Sequence, residues 1–182
     1  MSNLVITGEY FHKVRHHLLG CSGSSLNSIK TAESHLHALA QCKNFLSKNK
    51  IKPIISADTA GAAEEISKAK SNSRAAIASE LAAKIYNLTI LSSNIEDATH
   101  NTTRFLFMKE NFEETRIKNI NYITSFIFQV RNIPSALFKA LGGFSTNKIN
   151  MIKLESYMLK GSFKATQFYV DIEGHPEDDN VK

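Results

Sequence analysis

The first 110 residues alternate short apolar runs with segments in which apolar side chains recur every three or four residues. Such runs are typical of buried strands, and the recurrence is typical of amphipathic helices. The runs that predict strands span residues 4–7, 13–19, 53–57, 74–78, 88–91 and 103–108. The segments that predict helices span residues 31–48, 59–70 and 80–86. Because strands that alternate with helices favour a helix-covered sheet, this order predicts an α/β layer with largely parallel strand pairing.

A different pattern follows a polar, charged stretch at residues 110–120, which we interpret as a linker. Residues 122–130 alternate like a strand, and Pro134 suits the first position of a helix that runs to about Thr146. Residues 151–158 and 163–172 predict two further strands around a turn at Lys160-Gly161-Ser162. This β-α-β-β order predicts the first part of an α+β, ferredoxin-like unit. The chain therefore divides into residues 1–109, a linker at 110–120 and a second domain at 121–182.

The composition is that of a globular chain. Its 182 residues are 42% hydrophobic, and 22 Lys and Arg against 17 Asp and Glu leave a net charge of +5, which excludes a disordered chain. The short basic cluster at Lys48, Lys50 and Lys52 falls at a predicted turn, so we expect no nucleic-acid partner. No apolar run approaches the ~18 residues of a membrane span, and no secretory signal is expected. Cys21 and Cys42 are too few for a disulfide framework, and we expect a cytoplasmic protein without membrane association.

The first polar cluster, Asn101-Thr102-Thr103-Arg104-Phe105, enters a predicted strand. Two hydroxyls and a guanidinium suit an anionic ligand, because arginine offers a fixed fork of donors and threonine orients a hydrogen bond. The alternative is a loop in which the asparagine and threonine side chains only satisfy backbone groups.

The second cluster contains Ser34 and Gln41, which are seven residues apart. Two helical turns separate them, so one helix face can present both side chains, although Ser34 also suits a helix N-cap. The histidines predict no metal site, because His35 and His37 cannot share a helix face and ligands at suitable spacing are lacking. For Cys42 we expect a small buried apolar role rather than a nucleophile.

The third cluster, residues 57–63, lies between a predicted strand and a predicted helix. Its small side chains allow an anion to approach the helix N-terminal amides. The alternative is tight packing of helix on sheet, with Asp58 as the N-cap of the helix and Thr59 following it.

Taken together and in this order, the segments resemble the prephenate dehydratase family. The segments that match are Gly8-Glu9-Tyr10-Phe11, His17-Leu18-Leu19-Gly20, residues 34–42, 57–63 and 75–79, Asn94-Ile95-Glu96-Asp97 and Thr103-Arg104-Phe105. Downstream, residues 132–138 and Leu154-Glu155-Ser156 look like the two effector motifs of that family's regulatory ACT domain. The resemblance covers nearly the whole chain, and many collinear motifs are more specific than any one of them.

This resemblance implies part of a bilobal, periplasmic-binding-protein-like domain followed by an incomplete ACT domain. It also implies a cytoplasmic lyase of phenylalanine biosynthesis that converts prephenate to phenylpyruvate with loss of water and CO2. No cofactor and no metal are expected. The expected partners are prephenate as substrate, L-phenylalanine as allosteric effector, and a second copy of the chain in a homodimer.

Carried over residue by residue, Thr103 is the essential hydroxyl, Arg104 is its cationic neighbour, and Ser34 and Gln41 line the cleft. Other residues of the cleft are Asp58, Thr59 and Phe105. The residues expected to bind the effector are Asn132, Pro134, Ala136, Leu137, Glu155 and Ser156.

The sequence also departs from the family pattern. The glycine-rich segment and the Glu-Asn-Ser motif of the first lobe do not occur, and the last helix and strand of the ACT unit are missing. Ser135 stands where glycine is typical, and Tyr157-Met158 replace Arg-Pro. We therefore expect a piece truncated at both ends, with weakened phenylalanine control. The alternative to an enzyme is a non-catalytic remnant or a phenylalanine-binding module.

Overall fold

The computed structural model describes residues 3–110, 117, 120–159 and 165–182. Most of the predicted linker at 110–120 and the predicted turn at 160–162 lie outside these residues. The chain forms two compact units, one of Gly8–Phe107 and the other of Met1–Thr7 with Met108–Lys182.

Ten strands and five α-helices are seen in the described residues. The strands are β1 Leu4–Lys13, β2 His17–Gly20, β3 Thr31–Ser34, β4 Lys52–Ile55, β5 Arg74–Ala78, β6 Thr89–Ser92, β7 Thr102–Glu110, β8 Ile123–Gln129, β9 Met151–Met158 and β10 Ala165–Glu173. The helices are α1 Leu36–Gln41, α2 Lys43–Lys48, α3 Thr59–Ala69, α4 Glu80–Ile85 and α5 Ala136–Thr146. In the described part of the chain, no helix is long and apolar enough to cross a membrane.

A five-stranded sheet in the order β4-β3-β5-β2-β6 organises the unit Gly8–Phe107. Strand β3 pairs in parallel with β4 and β5, whereas β2 pairs antiparallel with β5 and β6. The prediction of largely parallel pairing is therefore wrong for half of the ladders. Helical crossovers connect β3 to β4 and β4 to β5, so that β4 and β5 both run parallel to β3, which lies between them. The pattern of apolar residues indicates which residues are buried but not the direction of a strand. The antiparallel direction of β2 could therefore not be predicted from it.

The central strands β3, β5 and β2 of the sheet are buried on both faces, whereas the edge strand β4 is exposed. Leu18 belongs to a cluster on one face that includes Leu39 and Leu46 of α1 and α2. Its neighbour Leu19 belongs to a cluster on the other face that includes Ile66 of α3. Side chains alternate between the faces of a strand, so two successive leucines in β2 fill both layers.

The helix predicted over 31–48 is wrong at its start and in its continuity. Residues Thr31–Ser34 form β3, and the helical part is divided into α1 and α2 at Cys42. The N-cap of α1 is His35, whose side chain accepts from the amide of His37. Ser34 is therefore not an N-cap, because it ends a buried strand one residue earlier.

A second small sheet consists of β1 and β7 alone, and we call it the ribbon. The predicted strand 13–19 is not continuous, since β1 ends at Lys13 and β2 begins at His17. Along the ribbon, Tyr10, Phe11 and Phe107 are more than half exposed. These aromatic side chains of the ribbon are therefore much more exposed than the side chains of the five-stranded sheet that pack against helices.

The C-terminal part forms a three-stranded antiparallel sheet in the order β8-β10-β9. The element order β8-α5-β9-β10 is the β-α-β-β order that the sequence predicts. Phe144 of α5 packs near Phe126 and Phe128 of β8, with ring centroids 6.1 and 6.4 Å apart. Phe168 of β10 stacks on Phe128 at 5.4 Å, so one face of this sheet is covered by α5.

Candidate active site

Gln41 is the meeting point of three segments of the chain. Its Oε1 lies 2.8 Å from Nε2 of His16, the residue before β2. The same oxygen accepts a hydrogen bond of 3.0 Å from Nδ2 of Asn101, the residue before β7. Gln41 itself ends α1, and its main-chain oxygen accepts from the amide of Asp97 at 2.6 Å. These contacts bring together side chains that are 25 and 60 residues apart in sequence.

Glu96 fixes the segment that carries His16. Its carboxylate accepts 2.6 Å from Nη1 of Arg15 and 3.1 Å from the amide of His16. Burial of Glu96 by itself would raise the pKa of this carboxyl, but the hydrogen bonds from Arg15 and the His16 amide outweigh it and lower the pKa. A buried, ionised Glu96 therefore holds the backbone of residues 15–16 in place.

Ser34 is fully buried at the end of β3. Its Oγ donates a hydrogen bond of 2.6 Å to the main-chain oxygen of Ile77 in the neighbouring β5. The interpretation that Ser34 and Gln41 share one helix face is wrong, because only Gln41 lies on a helix.

Thr103, Arg104 and Phe105 lie on the ribbon strand β7. Alternation along the strand puts Thr103 and Phe105 on one face and Arg104 on the other. Both Thr103 and Phe105 are exposed. Nε of Arg104 pairs with Oε2 of Glu9 in β1 at 2.5 Å. The guanidinium is thus charge-balanced within the ribbon.

Asp58 is the N-cap of α3, and its Oδ1 accepts from the amide of Gly61 at 2.6 Å. The capping alternative is therefore confirmed for Asp58. Thr59 is the first residue of the helix. Because the Asp58 carboxylate already occupies the Gly61 amide, that donor is not available to an external anion.

Cys42 is fully buried between α1 and α2. Burial, followed by the charges of Asp97 and Glu96, raises its pKa to about 12. A thiol with this pKa is a poor nucleophile at neutral pH, which agrees with a packing role. Over the described ranges, no group of three His, Cys, Asp or Glu side chains is arranged to hold a metal ion.

Three of the residues expected to bind an effector, Asn132, Ala136 and Leu137, line a pocket of about 210 Å³ at the start of α5. Helix α5 begins at Ala136, two residues later than Pro134 predicts. The N-cap is Ser135, whose φ of 61° is left-handed, a conformation that favours glycine. The residues that line the pocket are Val130, Arg131, Asn132, Ile133, Ser135, Ala136, Leu137, Phe138 and Phe168.

Glu155 and Ser156 lie on β9 and are not part of that lining. The Glu155 carboxylate accepts 2.7 Å from the Tyr157 hydroxyl and pairs with Nζ of Lys153 at 3.0 Å. The hydrogen bonds from Tyr157 and Lys153 lower the pKa of Glu155. Within the single chain, the two predicted effector motifs therefore do not line this pocket together.

The sequence argument did not identify His16, Asn101, Arg15 and Glu96 as members of one polar network. His16 was predicted to lie within a strand, and Asn101 only as part of a possible loop. A local signal for Glu96 existed, namely an acidic residue next to the apolar Ile95. Nothing in the local sequence joins it to Arg15, which is 81 residues away.

The sequence model of the prephenate dehydratase family matches residues 1–113. The chain belongs to the prephenate dehydratase family. It is 45% identical over 176 residues to a bifunctional N-acyl-homoserine lactone acylase/prephenate dehydratase of Komagataeibacter europaeus. The matched region covers 97% of this chain and 63% of that relative. It is 34% identical over 178 residues to a prephenate dehydratase of Methanocaldococcus jannaschii, covering 96% of this chain and 63% of the relative.

Solved structures show the same fold. A structure described as GqqA, a novel type of quorum quenching acylase, matches with a TM-score of 0.87 and 43% identity over 98% of this chain and 64% of that one. A prephenate dehydratase from Arthrobacter aurescens in complex with L-Phe matches with a TM-score of 0.86 and 24% identity, over 98% of this chain and 59% of that one. The chain thus spans about three-fifths of the length of these family members, with a mixed α/β fold.

Proposed function

We propose that this chain carries part of a prephenate dehydratase active site and takes part in converting prephenate to phenylpyruvate. The observation that carries the proposal is the hydrogen bond of 3.0 Å from Asn101 to Gln41. It joins the two polar clusters that the family resemblance assigns to the cleft, because Asn101 lies two residues before Thr103. Family membership supports the type of reaction, and the contact between Asn101 and Gln41 supports the location of the proposed site.

To convert prephenate to phenylpyruvate, the protein has to hold the substrate ring in position and stabilise the hydroxyl group as it leaves. The bond from the ring to the hydroxyl breaks, the bond to the ring carboxylate breaks with release of CO2, and the electron pair of that bond completes the aromatic ring. The departing hydroxide takes up a proton from solvent water and leaves as water. Aromatisation supplies the driving force, so the protein's task is positioning and electrostatic stabilisation.

In this proposal, the Thr103 hydroxyl donates a hydrogen bond to the leaving oxygen. A threonine hydroxyl has far too high a pKa to act as a strong acid, and its exposure on β7 leaves it accessible to a ligand. Arg104 lies on the opposite face of β7 and pairs with Glu9 through Nε, so its positive charge acts on the substrate carboxylates through the electric field of the strand and not through direct contact beside Thr103. Gln41 lines the cleft from the end of α1. Ser34 supports the cleft from the end of β3, where it is fully buried and donates to the main-chain oxygen of Ile77. Asp58, Thr59 and Phe105 are further neighbours of the substrate.

For the fold, we propose that residues 1–109 are part of a periplasmic-binding-protein-like catalytic domain and that 110–120 form the linker. Residues 121–182 then form an ACT domain. The sheet order β8-β10-β9 with one face covered by α5 supports a ferredoxin-like unit. The division of the chain near Phe107 and Met108 supports a boundary close to the proposed one.

We also propose that the ACT domain binds L-phenylalanine, in a homodimer, with weakened control. Asn132, Ala136 and Leu137 line the 210 Å³ pocket, which supports an apolar amino-acid ligand. Pro134 shapes the same loop, and Glu155 with Ser156 would meet the effector from β9. Because those two residues do not line the pocket within one protomer, a second copy of the chain is the natural source of the missing contacts. For a biosynthetic enzyme of this kind we propose a cytoplasmic location.

The acylase activity in the name of the Komagataeibacter europaeus relative is not part of this proposal. Acyl transfer by a hydroxyl or thiol needs a nucleophile that an adjacent base activates. Ser34 instead donates to the main-chain oxygen of Ile77, and the Cys42 thiol is buried with a raised pKa.

The test is formation of phenylpyruvate from prephenate by the purified chain, alone and mixed with the part of a full-length family member that lies outside the match. We expect turnover in the mixture and a loss of about 10²–10³-fold in kcat for Thr103→Val. Thr103→Ser, which keeps the hydroxyl, is the matched control and should retain most of the activity. Absence of product in both preparations would favour the non-catalytic remnant.

Calorimetric titration with L-phenylalanine tests the effector proposal separately. We expect binding heat and a rise in the temperature of unfolding, since a ligand that binds only the folded state stabilises it. The absence of both would reject the ACT domain as a phenylalanine-binding module. A sharp and tight inhibition curve would contradict weakened control.

A further inference from the structure

We infer that His16 is a positioning residue that fixes the direction of the Gln41 side-chain amide, so that the NH2 group of Gln41 is the donor presented to the ligand. The inference rests on the proposed function for the identity of the ligand, but its geometry rests only on the hydrogen bonds around Gln41.

The argument begins with the Gln41 oxygen. A side-chain amide oxygen has two lone pairs and can only accept, whereas the amide nitrogen can only donate. Oε1 of Gln41 faces Nε2 of His16 at 2.8 Å and Nδ2 of Asn101 at 3.0 Å. Two donors therefore fill both acceptor sites of that oxygen.

This arrangement fixes the tautomer of His16. Nε2 of a neutral imidazole donates only when it carries the proton, so the contact with Gln41 requires the Nε2–H form. The ring is held in place for this contact, because His16 is 7% exposed and its amide donates to the Glu96 carboxylate at 3.1 Å. The carbonyl of His16 also accepts from the amide of Ile95 at 2.9 Å.

The NH2 group of Gln41 is then the part of the amide that can donate to a ligand. Within the part of the chain that the structure describes, no hydrogen bond involves this group, and Gln41 is half-buried rather than sealed. An NH2 donor suits a carboxylate or a hydroxyl oxygen of the ligand, and it repels a ligand donor. A ligand rich in carboxylates, such as prephenate, meets this requirement.

The reversed amide would produce the opposite specificity. With the Gln41 nitrogen turned toward His16 and Asn101, His16 would carry its proton on Nδ1 and Asn101 would present its oxygen. Gln41 would then offer an acceptor to the ligand. The tautomer of His16 therefore reports which half of Gln41 faces the cleft.

The experiment is long-range ¹H–¹⁵N correlation of the histidine rings in the intact chain, at a pH at which the imidazoles are neutral. We expect a single Nε2–H tautomer for His16, while His37, which is exposed, averages over both tautomers. We also expect added prephenate to shift the NH2 resonances of Gln41. An Nδ1–H tautomer, or the same average as His37, would overturn the inference.

Variants separate positioning from folding. His16→Gln keeps an N–H donor near the place of Nε2, and His16→Phe removes it while filling the space. We expect His16→Phe to lower kcat/KM by 10–100-fold, because a misplaced group near the reacting atoms costs on the order of 10²-fold. His16→Gln should restore most of this loss, and His37→Gln, as the matched control, should have no effect. Equal losses in His16→Gln and His16→Phe would contradict positioning through a donor. The NMR result does not depend on turnover. Absence of product both from the chain alone and from the mixture, together with an Nε2–H His16, would therefore reject the proposed function and leave this inference standing.

Discussion

The five-stranded sheet and the ribbon differ in how they are held, although the candidate site draws on both. Leu18 and Ile77 of the sheet are completely buried between two helical layers. Phe105 and Phe107 of the ribbon are each more than half exposed. A two-stranded sheet is marginally stable by itself. The comparison indicates that the sheet supplies rigid support, and that the ribbon carries the candidate residue Thr103 without comparable packing.

The polar residues follow the same division. Ser34 and Glu96, next to the sheet, are buried and fully engaged in hydrogen bonds with neighbouring segments. Thr103 on the ribbon is exposed. Asn101 lies immediately before the ribbon strand β7 and donates to Gln41 at the end of α1. The main-chain oxygen of Asn101 also accepts from the amide of Val14 at 2.9 Å, so the start of β7 is tied both to Gln41 and to the segment that follows β1.

The largest expected difference is in thiol reactivity. Because the pKa of Cys42 is raised to about 12 from 9.0, its thiolate fraction at pH 8 falls about a thousandfold. We expect Cys42 to resist alkylation in the folded chain, and a cysteine introduced on the ribbon by Leu106→Cys to react at an ordinary rate. Mass spectrometry of labelled peptides measures both. Rapid labelling of Cys42 in the native state would show that the core beside the sheet opens easily.

Truncation of equivalent leucines compares the two regions directly. Leu18→Ala should lower the free energy of unfolding by about 2–5 kcal/mol, since it leaves a cavity in a closed core. Leu106, on the ribbon, is 38% exposed, and Leu106→Ala should cost only about 1 kcal/mol. Urea unfolding of both variants gives the comparison. Similar losses would mean that the ribbon is packed as firmly as the sheet.

Glu96, which accepts hydrogen bonds from Arg15 and His16, is expected to make the stability of the fold depend on pH. Its pKa is lower in the folded chain than the usual 4.5, so ionised Glu96 stabilises the fold above that pH, and this contribution is lost as the pH falls through the lower folded pKa. Glu96→Gln should cost about 1–3 kcal/mol at pH 7, because donors from Arg15 and His16 lose their charged acceptor. The difference from the natural chain should shrink below pH 4.5, as urea unfolding across pH can show. Glu64→Gln, at an exposed pair with Lys68, is the control and should show little change. A difference that stays constant with pH would contradict the role of the charge.

Much of the fold was predictable, because its signals are local. The strand at 74–78 is confirmed as β5, and the helix at 59–70 is confirmed as α3, where the Asp58 cap is encoded within four residues. Strand β3 was not predictable in this way. Glu33 reads as a surface residue, but it is buried in a two-bond pair with Arg74, which lies 41 residues away.

For the candidate site, the sequence names individual residues but not how they are arranged. The motifs bring Gln41 and Thr103 to attention, but the support from His16 and Asn101 depends on contacts between distant segments. The antiparallel pairing of β2 with β5 and β6 could not be predicted either. All four residues of β2 are buried, and this burial is the same whether the neighbouring strands run parallel or antiparallel.

The smallest expected effect is at the ion pair of the ribbon. Glu9 and Arg104 are each about one-quarter exposed, and pairs near the surface contribute roughly 0.2–1 kcal/mol. Glu9→Gln should therefore change the free energy of unfolding by less than about 1 kcal/mol, with a smaller difference at high salt. A loss as large as that of Glu96→Gln would show that the ribbon depends on this pair.

The most direct test of the central claim, that Gln41 and Thr103 act on one substrate from two differently supported regions, is a double-mutant cycle. The rate of phenylpyruvate formation is measured for Gln41→Leu, Thr103→Val and the double variant, in the mixture with the rest of a full-length family member. Residues that act as a unit are not additive, so we predict that the double variant is little slower than the slower single variant. Losses that simply multiply, or single variants with full activity, would contradict the claim.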